Sequence, residues 1–92
     1  MAIFNDNERT ISLKEHNRDW YTLLQFCVCK VHPSYYKNIR VAYNQTYEEW
    51  ALYWDSRDGS HTWFYPFPKN LNKNTLRKLK ANLPNYITME EI

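Results

Sequence analysis

The single glycine of this chain, Gly59, follows Asp58 and lies between two aromatic-rich segments. Asp-Gly between two strand-prone runs predicts a tight β-hairpin, because both central residues of such a turn need positive φ, which Asp tolerates and Gly accepts freely. Centring the turn on these two residues pairs Trp54 with Trp63. This register also decides which side chains share a face of the hairpin.

Alternation along the two predicted strands divides their side chains between two faces. The face with the bulkier side chains is assigned to the core and carries Trp50, Leu52, Trp54, Trp63, Tyr65 and Phe67. The opposite face carries Ala51, Tyr53, Asp55, Thr62, Phe64 and Pro66. Because proline has no N–H to donate to a ladder, Pro66 predicts that the second strand lies at an edge of the sheet.

A short helix is the alternative for the first of these segments. Thr46-Tyr47-Glu48-Glu49 fits the capping-box pattern, and the side chains of Tyr47, Trp50, Ala51 and Trp54 would then share one helical stripe. The hairpin is the preferred interpretation. Asn44-Gln45-Thr46 matches a glycosylation acceptor and is interpreted as a turn.

An amphipathic helix is predicted from about Leu13 to Val31, behind a second capping-box match at Ser12 to Glu15. Its apolar residues recur at threes and fours: Leu13, Trp20, Leu23, Leu24, Cys27, Val28 and Val31. The segment from Phe26 to Val31 also alternates like a strand, so an end near Gln25 is the alternative. Proline at position 33 terminates the element in either case.

A half-buried strand is predicted at Ile39 to Tyr43, where apolar and polar residues alternate, and it should pair with Trp50 to Ser56. Asn72 or Asn74 can cap a final helix that continues through Leu83. The sequence therefore predicts a two-layer α+β fold of N-terminal helix, three-stranded antiparallel β-meander and C-terminal helix.

The chain has 92 residues, the size of one small domain, 1–92. Residues 1–11 and 85–92 are expected to be loosely held, with a strand-like contact as the alternative for the second segment. There is no apolar run near the roughly 20 residues needed to cross a bilayer and no leader pattern, which favours a cytoplasmic protein.

Catalytic and cofactor patterns are weak in this sequence. A chain with 1 glycine cannot contain the glycine-rich loops that cradle phosphates, and no nucleophile stands beside a base in a recognisable motif. Cys27-x-Cys29-x-x-His32, with His16 and His61 as further ligands, departs from the usual zinc-knuckle spacing. We therefore expect a protein that is not an enzyme and has no metal site or cofactor.

Aromatic residues make up 17% of the chain, which is many for a small core to hide. Two helices can cover only one face of a sheet, so the other face is expected to stay open. The residues predicted to bind a protein partner there are Arg40, Tyr53 and Phe64, together with Tyr35 and Tyr36 of the preceding connector. Tyr, Trp and Arg are enriched at interface hot spots.

A compact chain without an enzyme or cofactor motif has the size of the small inhibitors and modulators that phages and other mobile elements carry. We expect such a role from size alone. The competing interpretation is that Tyr53 and Phe64 are covered by the N-terminal segment or by a second copy of the chain. The rings would then be structural, and in the second case the protein would be a homodimer.

Nucleic-acid binding is the alternative function. The net charge is +2, yet the segment from 59 to 89 holds five basic residues and no acidic ones: Lys69, Lys73, Arg77, Lys78 and Lys80. In this interpretation these cations contact phosphates while exposed rings stack on bases. A locally basic helix is nevertheless more often a solvated surface than a binding site.

Overall fold

The computed structural model of the protein describes residues 20–92. The elements in chain order are α1 (Trp20–Lys30), β1 (Tyr36–Asn44), β2 (Glu49–Ser56), β3 (Thr62–Pro66), α2 (Lys73–Asn82) and β4 (Thr88–Met89). The predicted α+β arrangement is confirmed. The predicted start of the first helix, residues 13–19, and the N-terminal segment 1–11 lie outside the described residues.

The β2–β3 hairpin has the predicted register. Trp54 pairs with Trp63, Leu52 with Tyr65, and the helix alternative for this segment is wrong, because β2 is a strand. Glu48 has a φ of +54°, which does not fit a right-handed helix.

The turn type differs from the prediction. Only Gly59 has positive φ in the turn, at +78°. Its N–H donates to the Ser56 carbonyl, and the Ser56 N–H donates to the His61 carbonyl, which closes a loop of four residues rather than two. The Asp58 carboxylate accepts from the Ser60 N–H at 2.9 Å, so Asp58 stabilises the loop through its side chain rather than through a positive φ.

The sheet has four strands in the order β3-β2-β1-β4, rather than the predicted three. The meander of β1, β2 and β3 is antiparallel as expected, and Pro66 lies in an edge strand. The added strand, β4, pairs parallel to β1, with Thr88 beside Arg40. A strand of two residues has no periodicity of its own, which is why the sequence left this tail undecided between pairing and fraying.

Both described helices pack on one face of the sheet. Helix α1 continues to Lys30, which confirms the helical interpretation of the segment after Gln25. Its residues Leu23, Phe26 and Cys27 are buried. Helix α2 begins after Asn72, whose side chain accepts from the Thr75 N–H at 2.8 Å, as the capping prediction required. The core joins these helices to the sheet and comprises Leu23, Phe26, Cys27, Val31, Ile39, Val41, Leu52, Trp54, Phe67, Leu79 and Ile87.

A β-bulge in β1 changes which face its first residues occupy. The β1–β2 register shifts between Lys37 and Arg40, and Asn38 within this segment has a φ of +52°. One extra residue reverses the alternation. As a result Tyr36 and Ile39, which an unbroken strand would place on opposite faces, both pack against the core.

Candidate interaction surface

The face of the sheet opposite the described helices carries a row of three side chains, one from each strand of the meander. We call Arg40, Tyr53 and Phe64 the cross-strand row, because Tyr53 pairs with Arg40 on one side and with Phe64 on the other. The rings of Tyr53 and Phe64 are stacked, with centroids 5.8 Å apart and planes 27° apart. The Arg40 guanidinium carbon lies 5.4 Å from the centre of the Tyr53 ring. Cation–π contact and ring stacking thus hold the three side chains in register.

The cationic end of the row is fixed by a carboxylate. Asp55 accepts from Asn38 Nδ2 at 2.9 Å, from Thr62 Oγ1 at 2.8 Å and from Arg40 Nη1 at 3.1 Å. Hydrogen bonds from Asn38, Thr62 and Arg40, in that order of weight, lower the pKa of Asp55 to about 2. Asp55 is therefore ionised at neutral pH and restrains Arg40 over the ring of Tyr53.

Only one nitrogen of Arg40 is used by this network. Its Nη1 donates to Asp55 and to the Asn38 carbonyl at 2.6 Å. A guanidinium has five N–H donors, and the hydrogen bonds that Arg40 donates within residues 20–92 use neither Nη2 nor Nε. Those two nitrogens form the geometry that binds a carboxylate with two parallel hydrogen bonds.

The aromatic end of the row is open. Phe64 is 49% exposed, a large fraction for a phenylalanine whose ring already stacks on a neighbour. Pro66, two residues further along β3 and on the same face, is exposed, whereas Ala51, which pairs with it, is fully buried. The exposed surface beside Phe64 therefore includes the apolar ring of Pro66, and a bulky apolar group from outside could be placed against the phenylalanine ring.

The two tyrosines of the predicted site are separated by the structure from the cross-strand row. Tyr36 packs with Trp54 and Trp63 on the helix-covered side, at centroid distances of 6.3 and 5.8 Å, because the bulge turns it there. Tyr35 is 70% exposed and its ring lies 5.8 Å from that of His32, beyond the end of α1. The ring contacts of both tyrosines within the described part of the chain are with His32, Trp54 and Trp63, and none is with the cross-strand row.

Trp63 was assigned to the core by alternation, but it is 42% exposed. It lies on the helix-covered side and at the edge strand, where it stacks on His61 at 5.6 Å. Alternation gives the side of the sheet that a residue faces, and it does not say how far the helices extend over that side. This exposed indole is the main surface ring that sequence reasoning missed.

The basic residues of the alternative site do not form an uninterrupted positive face. Lys69 precedes α2, which carries Lys73, Arg77, Lys78 and Lys80. Lys80 Nζ lies 2.7 Å from Glu91 Oε2, which lowers the pKa of Glu91 through a hydrogen bond and charge attraction. Pairing of β4 with β1 thus brings an acidic C-terminal segment against the basic helix, an arrangement that the sequence pattern alone did not indicate.

The two cysteines point to different environments, as residues two apart on a helix should. Cys27 is buried and Cys29 is exposed. Burial raises the pKa of the Cys27 thiol to about 12. Among residues 20–92, no group of three or more His, Cys, Asp or Glu side chains is placed to hold a metal ion.

No helix between residues 20 and 92 is long and apolar enough to cross a membrane. Comparison with protein-family models, with curated proteins and with solved structures found no match.

Proposed function

We propose that this protein is a small binding module that docks on a protein partner through the cross-strand row. The observation that carries the proposal is the combination, in one row, of an exposed phenylalanine ring and an arginine with unused donors, both held in place before any partner arrives. Ordered side chains lose less conformational entropy on binding, so the same contacts give tighter association.

The chemistry of the row defines what the partner must offer. An apolar or aromatic side chain would cover Phe64, and a carboxylate would accept from the unused nitrogens of Arg40. The partner surface is therefore an apolar group with an acidic residue beside it. Such a module would act by occupying that surface, as inhibitors and modulators encoded by phages and other mobile elements do.

The test is comparative capture from lysate of the native cells. Immobilised wild-type protein is compared with a Tyr53→Ala/Phe64→Ala variant, and Tyr47→Ala is the matched control, because Tyr47 is an exposed ring in the β1–β2 turn. Truncation of a hot-spot residue weakens binding by about 2 kcal/mol or more, roughly 30-fold in Kd. The partner should be lost from the double variant and retained by the control.

Arg40→Lys provides a second measurement once the partner is known. It keeps the charge and removes the forked donor geometry, so binding should weaken although the fold is unchanged. Far-UV circular dichroism of each variant checks the fold. Equal capture by wild type and by the folded double variant would contradict the proposal.

Nucleic-acid binding through α2 is the alternative outcome of the same capture. Nuclease-sensitive material with a high 260/280 nm ratio would then be retained. Five phosphate contacts predict a slope of about −4 to −5 in log K against log salt on duplex DNA. Binding that is lost in a Lys73→Gln/Arg77→Gln variant and that follows this salt dependence would replace the protein-partner proposal.

A further inference from the structure

The edge strand β3 has backbone groups that point away from the sheet. In an antiparallel pair, both backbone groups of a residue point toward the neighbouring strand at every second position. The His61 carbonyl accepts from the Ser56 N–H, and the Phe67 N–H donates to the Trp50 carbonyl. The odd-numbered residues of this segment therefore direct their backbone groups toward β2. The N–H groups of Thr62 and Phe64 and the carbonyls of Thr62, Phe64 and Pro66 therefore point outward. No strand among residues 20–92 pairs with this edge.

The side chains of β3 do not protect this edge. Its sequence, TWFYP, contains no charged residue, and four of its five residues are exposed. Natural proteins usually protect a free edge with lysines, with proline or with a covering element, because an open edge pairs with another chain. Here Pro66 is the one such feature within the strand, and it removes a single outward donor.

The edge is complementary to itself about a two-fold axis through Phe64, because each outward N–H of one copy then faces an outward carbonyl of the other, and Pro66 removes only its own donor. We propose that two copies of this chain pair antiparallel through β3, about a two-fold axis at Phe64, to form a continuous eight-stranded sheet. In this register Phe64 faces Phe64 of the second copy, and Thr62 faces Pro66. The Phe64 N–H of each copy donates to the Phe64 carbonyl of the other, and each Thr62 N–H donates to the opposing Pro66 carbonyl.

This register uses every outward donor that β3 has within the strand. The missing N–H of Pro66 lies opposite the Thr62 carbonyl, which remains accessible to water. A shift of two residues in one direction places the Thr62 N–H beyond the opposing strand end. A shift in the other direction, with the axis at Trp63, also pairs all four donors, but it aligns only three residues of each strand instead of five. The two Phe64 rings would also be neighbours on the open face, which extends the stacking from Tyr53 of one copy to Tyr53 of the other.

Disulfide trapping tests the register directly. In a Cys29→Ser background, Phe64→Cys places two thiols at the two-fold axis, where the Cα atoms of a hydrogen-bonded pair lie about 5.5 Å apart, within disulfide range. Thr62→Cys is the matched control on the same strand and face. Its two copies would be offset by four residues, roughly 13 Å, which is too far to link. We expect rapid covalent dimer from Phe64→Cys and none from Thr62→Cys.

Sedimentation equilibrium of the unmodified chain gives an independent measurement. Wild type should show a concentration-dependent monomer–dimer equilibrium. Thr62→Pro removes two of the four intermolecular hydrogen bonds and should raise the Kd about 30-fold, since each net bond corresponds to about a fivefold change. Thr62→Val loses the hydroxyl but keeps the N–H, so it should associate like wild type.

A wild-type chain that stays monomeric to about 1 mM would overturn the dimer, as would equal linking rates for Phe64→Cys and Thr62→Cys. Monomeric protein that instead pairs this edge with an extended peptide would also overturn it. The dimer does not depend on the proposed function. Arg40→Lys separates the two, because it should weaken partner docking and leave self-association unchanged.

Discussion

Replacing Gly59 with Ala is expected to destabilise the protein by about 1–2 kcal/mol, the cost of placing an L-residue in the left-handed region. The φ of Gly59 is +78°. A Cβ at this position would lie 3.5 Å from Lys37 Nζ, which is an ordinary contact with the mobile end of a long side chain. The loss of stability therefore comes from the backbone conformation and not from a steric clash of the new Cβ. Other L-residues without a branched Cβ should lose a similar amount, except those that tolerate positive φ.

The assay is thermal unfolding followed by far-UV circular dichroism. For a domain of this size, 1 kcal/mol corresponds to roughly 4–8 °C in Tm, so Gly59→Ala should lower Tm by roughly 5–15 °C. Gly59→Asn is the matched control, because Asn enters the left-handed region several times more readily than most residues, and its loss should be smaller. A Gly59→Ala protein that melts with wild type, or an Asn variant less stable than the Ala variant, would refute the reasoning.

Two further predictions concern the core and the charge network. Leu52 is fully buried in the central part of the sheet, so Leu52→Ala should lower the free energy of unfolding by about 2–5 kcal/mol in urea titrations, while Gln25→Ala, at an exposed site on α1, should change it little. The pKa of Asp55 is about 2 in the folded protein, below the value of about 3.9 for an aspartate in the unfolded chain. The ionised carboxylate therefore stabilises the fold above roughly pH 4, and this stabilisation is lost as the pH falls toward 2. In Asp55→Asn, the free energy of unfolding should therefore fall less steeply between roughly pH 4 and pH 2 than in wild type. Part of the fall should remain, because the pKa of Asp58 is also lowered. An unchanged dependence on pH would contradict this account.

The cross-strand row and the β3 edge share Phe64, and the two proposals make different demands on it. Docking on a partner requires its ring, whereas edge pairing requires its backbone N–H and carbonyl. A Phe64→Leu variant should therefore weaken partner capture while keeping self-association. In a dimer of the proposed register, two rows would lie on one continuous face, so a partner with two matching sites would bind with avidity.

The sequence by itself determined the local elements of this fold. Asp58-Gly59 placed the hairpin, and its pairing of Trp54 with Trp63 followed from counting outward from the turn, because strand side chains alternate with a period of two. Asn72 marked the beginning of α2 through one side-chain hydrogen bond to a backbone N–H three residues later. Each signal depends on a few neighbouring residues, so a short stretch of sequence is enough to predict the hairpin and the beginning of the helix.

The juxtaposition of Tyr53 and Phe64 followed from the same register, and pairing β1 beside β2 added Arg40. What the sequence did not contain was the hydrogen-bond network that orients Arg40. That network needs the Asn38 side chain, whose position depends on a bulge within β1. A bulge inserts one residue into an otherwise regular alternation, and several positions in such a strand satisfy the pattern equally well.

Only the tertiary structure decided three features. The bulge turned Tyr36 to the helix side, the finite reach of the helices left Trp63 exposed, and the pairing of Thr88 with Arg40 brought Glu91 to Lys80. Each depends on contacts between segments far apart in the chain, whose strength comes from packing that no short window of sequence contains.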